Sequence, residues 1–172
     1  MDWKFLYTSF EGRIGRQQWW LGSIALVVVA IILYIIVMPV IGLSMMGGFD
    51  PAGGPGAMMG MMRKAAFAHL VLTAIFAYPV TALMRKRLND RDRPAWFVYL
   101  FWAPTVLGIL LGLTGMGYTV ADMGGMTVPA PSSLGWIVNL ASLVIGLWAL
   151  VELGILRGTA GQNQHGPDSA AS

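Results

Sequence analysis

A short polar stretch, RKRLNDRDRPAW at residues 85–96, holds many of the side chains in this chain that can take part in chemistry. It carries five of the 11 Lys and Arg residues, and two acids, between strongly apolar segments. Planar arginine side chains can clamp a phosphate, a lipid headgroup or a carboxylate. A short loop rich in Lys and Arg also marks the cytoplasmic side of a membrane protein. That explanation is sufficient for four of the basic residues: Arg85, Lys86, Arg91 and Arg93.

Arg87 and Asp90 stand apart because their spacing predicts an ion pair across one helical turn. Two other polar segments lie where they could meet this pair, one before the first apolar block and one after the last. If the three segments converge, they form a mixed-charge cytoplasmic cluster. Its six members are Arg13, Arg16, Arg87, Asp90, Asn163 and Asp168. Such a cluster can bind an anion, or its members can bind one another and hold loop and tail in place; the second alternative is favoured.

Glu152 is the only acidic residue inside a predicted membrane span, about one turn from its end. An ionisable side chain at such a place is a functional candidate, because charge is costly to bury in lipid. Its predicted partners are Arg157, Arg13 or Arg16. An ion pair with one of them is the structural alternative to a role in ligand binding.

Little else in the sequence suggests catalysis or a cofactor. The chain has no cysteine, so thiolate chemistry and disulfides are excluded. No G-x-S-x-G, H-E-x-x-H or P-loop pattern is present. Thioethers suit Cu(I), which makes Met58, Met62 and His69 the candidate metal ligands, but methionine in Gly-rich segments also serves as flexible apolar filler. The sequence therefore predicts neither an enzyme nor a cofactor, and no metal site.

The elements that must position these side chains are long apolar blocks. The chain is 56% apolar and 11% charged, outside the usual range of soluble domains. Four blocks are long enough, at about 1.5 Å per residue, to cross a hydrocarbon core of roughly 30 Å. They lie at residues 19–42, 65–83, 95–113 and 134–156. The predicted fold class is an all-α membrane protein, with four transmembrane helices in a small bundle.

Both ends of the chain lie outside these blocks. Residues 1–18 space four apolar side chains three or four apart, which predicts an amphipathic segment at the membrane interface. Those side chains are Trp3, Leu6, Phe10 and Ile14. Residues 157–172 form a polar tail, which its composition predicts to be disordered. The alternative is that its segment GQNQHGPD folds back against residues 85–93.

The distribution of positive charge predicts the orientation in the membrane. Nine of the 11 Lys and Arg residues lie before the first block, between the second and third, or after the fourth. They are Lys4, Arg13, Arg16, Arg85, Lys86, Arg87, Arg91, Arg93 and Arg157. Both termini are therefore predicted to be cytoplasmic. The predicted partners are the lipid bilayer, anionic lipid headgroups, and a second copy of the chain or another membrane protein; nucleic acid is not expected.

The three polar segments FEGRIGRQQWW, RLNDRDRPAW and GQNQHGPD, in this order between spans, resemble bacterial inner-membrane proteins of the YhaH/YhaI-like kind, domain of unknown function family 805. The residues that match are Phe10, Gly12, Arg13, Ile14, Arg16, Arg87, Leu88, Asp90, Trp96, Gly161, Asn163, Gly166 and Asp168. The chain departs from the pattern at four positions: Asn89 replaces His, Pro94 and Ala95 replace Ser-Gly, and His165 replaces Tyr. The resemblance implies four helices and an inner-membrane location, without an established activity.

Two functions are compatible with these features. The first is an interaction or scaffold element of the membrane, with the arginine and aspartate cluster as its working face. The second is a small carrier, or a lipid- or anion-binding protein, in which Glu152 and the cytoplasmic arginines line a cavity.

Overall fold

The structure, a computed structural model, describes residues 1–46, 54–123 and 126–168. Most of this part of the chain is helical, with one two-stranded antiparallel sheet. In chain order the elements are α1 (Trp3–Thr8), α2 (Arg16–Met46), α3 (Gly54–Asp90), α4 (Phe97–Thr114), β1 (Tyr118–Met123), β2 (Met126–Pro131) and α5 (Ser133–Ala149). Six residues of π-helix, Leu150–Ile155, continue α5.

Four helices in the described residues are long and apolar enough to cross a membrane: α2, α3, α4, and α5 with its π-helical continuation. Their exposed side chains are largely apolar. In α2, for example, Val27, Ile31 and Ile35 each expose more than half of their surface. Exposed apolar surface of this extent is unfavourable in water and is favourable in contact with the hydrocarbon chains of lipid. The predicted all-α membrane fold with four transmembrane helices is confirmed.

The second membrane helix extends beyond its predicted span at both ends. α3 runs from Gly54 to Asp90, whereas hydropathy predicts a span at 65–83. The residues RKRLND therefore form the last turns of a helix and not a loop. Arg, Lys and Leu are good helix formers, so nothing in this stretch stops the helix. It ends where Asp92 takes a left-handed conformation (φ 53°) and Pro94 follows.

A β-hairpin follows α4 at a place where the sequence predicts only a loop. β1 and β2 pair antiparallel, from Tyr118 opposite Pro131 to Met123 opposite Met126. The hairpin is tied to the adjoining helix ends, because the Gly117 amide donates to the Leu111 carbonyl at 2.9 Å and the Ser132 amide donates to Gly117 at 3.0 Å.

The chain divides into two compact units. The first comprises Met1–Ile31, Ala74–Trp102 and Val144–Ser172, of which the tail is described as far as Asp168. The second comprises Ile32–Thr73 and Ala103–Leu143. In the second unit the Cβ of an alanine at Gly112 would lie 2.7 Å from Ala66 Cβ, so α4 and α3 approach closely at this glycine.

The N-terminal segment belongs to the core of the first unit. Leu6 and Ile14 are 2% and 1% exposed and pack with Leu88 and Leu153. Trp3 and Phe10, predicted on the same helical face, are instead exposed. The helix ends at Thr8, so the expectation of one amphipathic face as far as Ile14 is wrong. The location of this segment at the membrane interface stays a prediction.

Candidate functional site

The polar side chains of the first unit meet in what we call the polar module, residues 2–16, 85–96 and 152–168. Its centre is Asp90, which is 1% exposed. Oδ1 accepts hydrogen bonds from Arg13 Nε at 3.1 Å and Nη2 at 3.0 Å, and Oδ2 accepts one from Arg87 Nη1. The ion pair predicted between Arg87 and Asp90 is confirmed. One carboxylate thus joins α3 to the segment that precedes α2.

The end of the π-helix is capped by side chains from other segments. Arg87 Nε donates to the Leu153 carbonyl at 2.7 Å, and its Nη2 donates to Leu156. Three more carbonyls accept from side chains. The Gly154 carbonyl accepts from Trp20 Nε1, and the Ile155 carbonyl accepts from Arg16 Nη1. The Arg157 carbonyl accepts from Arg91 Nη1. The last carbonyls of a helix lack partners within it and carry partial negative charge. Arginines are therefore suitable donors, and this use of them was not predicted from the sequence.

Arg13 also holds the tail. Its Nη1 donates to the Gly161 carbonyl at 2.8 Å, and its Nη2 donates to the Thr159 carbonyl at 2.7 Å. A longer contact of 3.3 Å joins Nη1 to the Gly166 carbonyl. All three guanidinium nitrogens of Arg13 therefore donate to groups within the protein.

The tail returns to the end of α3. The Thr159 amide donates to the Asp90 carbonyl at 2.8 Å, and Asn163 Nδ2 donates to the Asn89 carbonyl at 3.0 Å. Asp168 closes the tail loop by accepting from the Gly161 amide at 2.8 Å. The alternative that the segment GQNQHGPD, residues 161–168, folds back against residues 85–93 is correct, and the expectation of disorder is wrong for this segment. The composition misled because the tail is held by hydrogen bonds and not by apolar side chains.

Two further buried side chains hold the N-terminal segment. Lys86 is fully buried, and its Nζ donates to the carbonyls of Phe5, at 2.8 Å, and Ser9. Its assignment as a topology signal alone is therefore wrong. Asn89, which stands where related patterns have His, donates from Nδ2 to the Gly12 carbonyl at 3.0 Å. The carbonyls that these two side chains bind lie in the last turn of α1 or after it, where partners within a helix are lacking.

Glu152 is 6% exposed and has different partners from those predicted. Its Oε1 accepts from Arg91 Nε and Nη2, at 3.2 and 3.1 Å, and from Arg93 Nε at 2.9 Å. The prediction of Arg157, Arg13 or Arg16 is wrong, as is the view that Arg91 and Arg93 serve topology alone. Glu152 lies in the π-helix. Backbone hydrogen bonds there join residues five apart and not four apart, which changes the direction in which successive side chains point.

The structure brings the six predicted cluster residues into one region. Four of them, Arg16, Arg87, Asp90 and Asp168, line a cavity of about 420 Å³ together with Arg157 and Thr159. The other two, Arg13 and Asn163, bind the tail next to it. Their role as a ligand-binding site stays a prediction.

The three candidate metal ligands do not come together. Met58 and Met62 lie one turn apart on α3, and His69 is exposed on the same helix. Seven residues separate Met62 from His69, which is about 10 Å along the helix axis at 1.5 Å per residue. That separation is too great for one coordination shell. Among the described residues, no group of three or more His, Cys, Asp or Glu side chains is placed to hold a metal ion.

Comparison with known proteins gives one family and two named relatives. A family model described as "Protein of unknown function (DUF805)" matches residues 7–167. Two proteins named inner membrane protein YhaH, from Escherichia coli strain K12 and Escherichia coli O157:H7, are each 30% identical over 114 residues. The match covers 62% of this chain and 77% of each relative. No solved structure matches the chain. The family match includes every predicted cluster residue except Asp168.

Proposed function

The chain belongs to the DUF805 family of unknown function, and on that premise we propose that it acts in the bacterial inner membrane as an interaction or scaffold protein. The resemblance carried by the three polar segments is thereby confirmed. The relatives are named as inner membrane proteins, and four helices of this chain are long and apolar enough to cross a membrane. The proposed working face is the polar module, with both termini in the cytoplasm.

The proposal rests on one observation, which is that the buried polar side chains are bonded to other groups of the protein. Six polar or charged side chains are buried in the described residues, and each bonds to another group of the protein. They are Arg13, Lys86, Arg87, Asn89, Asp90 and Glu152. A buried network that is fully satisfied fixes one arrangement of the segments that carry it. This buried network holds the exposed residues of the polar module, such as Gln162 of the tail, in one arrangement, and a fixed arrangement is suited to recognition of a partner.

The carrier hypothesis has less support. It requires Glu152 to face a cavity, but the carboxylate is bound by Arg91 and Arg93. Neutralising Glu152 would leave those arginines without their acid partner, so a cycle of protonation there would disturb the helix end. A carrier, or a lipid- or anion-binding protein, in which Glu152 lines the binding cavity is therefore disfavoured, and Glu152 lines neither the polar cavity nor the apolar pocket of the first unit.

The proposal can be tested by photocrosslinking in native membranes. A photoreactive amino acid replaces Gln162, which is exposed in the tail, and in a matched control it replaces Ile35, which is exposed on α2. We expect discrete protein adducts from position 162 and none from position 35. Asp90→Asn should abolish the adducts from position 162, because it releases the tail from its fixed position. Asn163→Ala leaves Asp90 and its arginines in place but removes the side-chain hydrogen bonds of Asn163 to Asn89, Thr159 and His165, and it provides a second variant.

Two results would contradict a scaffold role for the polar module. One is that position 162 gives no more protein adducts than position 35. The other is that the adducts are unchanged in both Asp90→Asn and Asn163→Ala, which would mean that recognition does not depend on the arrangement of the module.

A further inference from the structure

Two cavities in the first unit are lined by neighbouring parts of α2, of α3 and of the chain around the end of the π-helix. The polar cavity adds residues of the tail, and the apolar pocket adds Phe101 of α4. The polar cavity includes Arg16 at the start of α2, Arg87 near the end of α3, and Arg157 just after the π-helix. A second pocket, of about 270 Å³, has an apolar lining that includes Trp19 on α2 and Leu83 on α3. Leu153 of the π-helix also lines it. On each helix the apolar lining therefore begins about one turn from the polar lining.

The polar cavity also contains two arginines, Arg16 and Arg157, whose partners differ from those of Arg87. Arg87 and Asp90 bind each other, Asp90 also binds Arg13, and Asp168 accepts from a backbone amide. Within the described residues, neither Arg16 nor Arg157 forms an ion pair with a carboxylate. Arg16 donates from one nitrogen to the Ile155 carbonyl, at 3.1 Å, so its other nitrogens can bind a second acceptor. Two such arginines in the lining of a cavity suit a phosphate group.

Trp19, a lining residue of the apolar pocket, carries a buried donor that lacks a partner among the described residues. Trp19 is 9% exposed, and its indole Nε1 is buried without a hydrogen-bond partner among the described residues. A buried N–H without an acceptor is destabilising, so unsatisfied groups of this kind are rare in folded proteins. Trp19 follows Arg16 by three residues, about 4.5 Å along the axis of α2. An acceptor on a ligand bound at Arg16 satisfies this N–H only if the indole ring turns toward it, because the nitrogen is not accessible in this structure.

We propose that these two cavities form one binding site for an anionic phospholipid. Its phosphate binds Arg16 and Arg157, an ester carbonyl accepts from Trp19 Nε1, and one acyl chain occupies the apolar pocket. A phospholipid carries these three groups in the order in which α2 presents their partners: charged, then hydrogen-bonding, then apolar. The site is separate from the scaffold role, since each can be present without the other.

The test is native mass spectrometry of the full chain in detergent, with lipid retention measured against added lipid. Phosphatidylglycerol is compared with phosphatidylcholine of the same acyl chains, because only the first has a net negative headgroup. We expect one phosphatidylglycerol to be retained per chain. Its retention should fall at least about fivefold in Arg157→Gln, whose side chain is exposed and makes no hydrogen bond among the described residues.

Two more variants separate the parts of the site. Trp19→Phe keeps an aromatic ring and removes the N–H, so retention should fall by about fivefold, the usual effect of one hydrogen bond. Lys64→Gln removes an exposed cation from the second unit and should leave retention unchanged. Thermal melting without added lipid verifies that each variant is folded.

Three outcomes would overturn the proposal. The first is equal retention of phosphatidylcholine and phosphatidylglycerol. The second is the same loss of lipid in Lys64→Gln as in Arg157→Gln, which would indicate a general effect of charge. The third is stabilisation by inorganic phosphate alone with no retained lipid, which would make the ligand a free anion and leave the apolar pocket without a role.

Discussion

At the scale of single residues, Asp90 links three segments of the polar module: the N-terminal segment, the end of α3 and the tail. Its carboxylate binds two buried arginines from different segments, and its backbone carbonyl binds the tail. Buried ion pairs are often near neutral for stability as a whole, but removing one partner leaves uncompensated charge and typically costs about 3–5 kcal/mol. The same geometry requires a small residue beside the carboxylate, and Gly158 is that residue.

Gly158→Ala should therefore destabilise the protein although it adds a single methyl group. A Cβ at position 158 would overlap the Asp90 carboxylate, which cannot move freely because two arginines hold it. Overpacking of this kind costs about 1–3 kcal/mol. We expect a lower midpoint of thermal unfolding in detergent. Gly60→Ala is the matched control, since a Cβ there meets nothing within 4 Å and alanine favours a helix. Equal melting of Gly158→Ala and the wild type would contradict this account.

Also at the residue scale, the sequence predicts which side chains belong to the polar module better than it predicts the groups that they bind. The spacing of Arg87 and Asp90 gives their ion pair, and the matched motifs place Arg13 and Asn163 in the same region. Lys86 and Arg93 were missed because a cation beside a membrane span has the same sequence signature whether it marks topology or binds a carbonyl or carboxylate. The partners of Glu152 were missed because they depend on a π-helix, which no sequence pattern here indicates.

At the scale of elements, apolar blocks locate membrane helices but not their ends. The four predicted blocks all lie within helices or overlap them closely, yet α3 continues for seven residues beyond its block, to Asp90. Hydropathy measures preference for lipid, whereas a helix ends where its last carbonyls find other partners or where the backbone turns. The tail shows the reverse case, since it has few apolar side chains and is held by hydrogen bonds to Arg13, Asp90 and Asn89.

At the scale of the whole molecule, hydrophobic block length and motif order were sufficient to predict the fold class and the family. Four blocks gave four membrane helices, and three polar motifs in order gave the family. The orientation is still a proposal that rests on nine of the 11 Lys and Arg residues. The hairpin at Tyr118–Pro131 follows α4 and lies in a connection with no Lys or Arg, so it is expected on the opposite side of the membrane from the termini.

This orientation can be tested directly because the chain has no cysteine, so any introduced cysteine is unique. We expect Thr119→Cys in the hairpin to react with a membrane-impermeant maleimide in cells whose inner membrane is intact. Gln162→Cys in the tail should react only after that membrane is opened. Both positions are exposed, so both should react fully in detergent. Reaction of Gln162→Cys in cells with an intact inner membrane would show that the predicted orientation is wrong.

The central claim is that Asp90 joins the N-terminal segment, the end of α3 and the tail into one module. Hydrogen exchange measured by mass spectrometry on Asp90→Ala tests it most directly, with Lys64→Ala, an exposed charged residue of the second unit, as control. We predict faster exchange in residues 9–15 and in residues 157–168, both far from position 90 in sequence, with no change in the hairpin at 118–131. Faster exchange confined to residues 87–93, or spread equally to the hairpin, would contradict the claim.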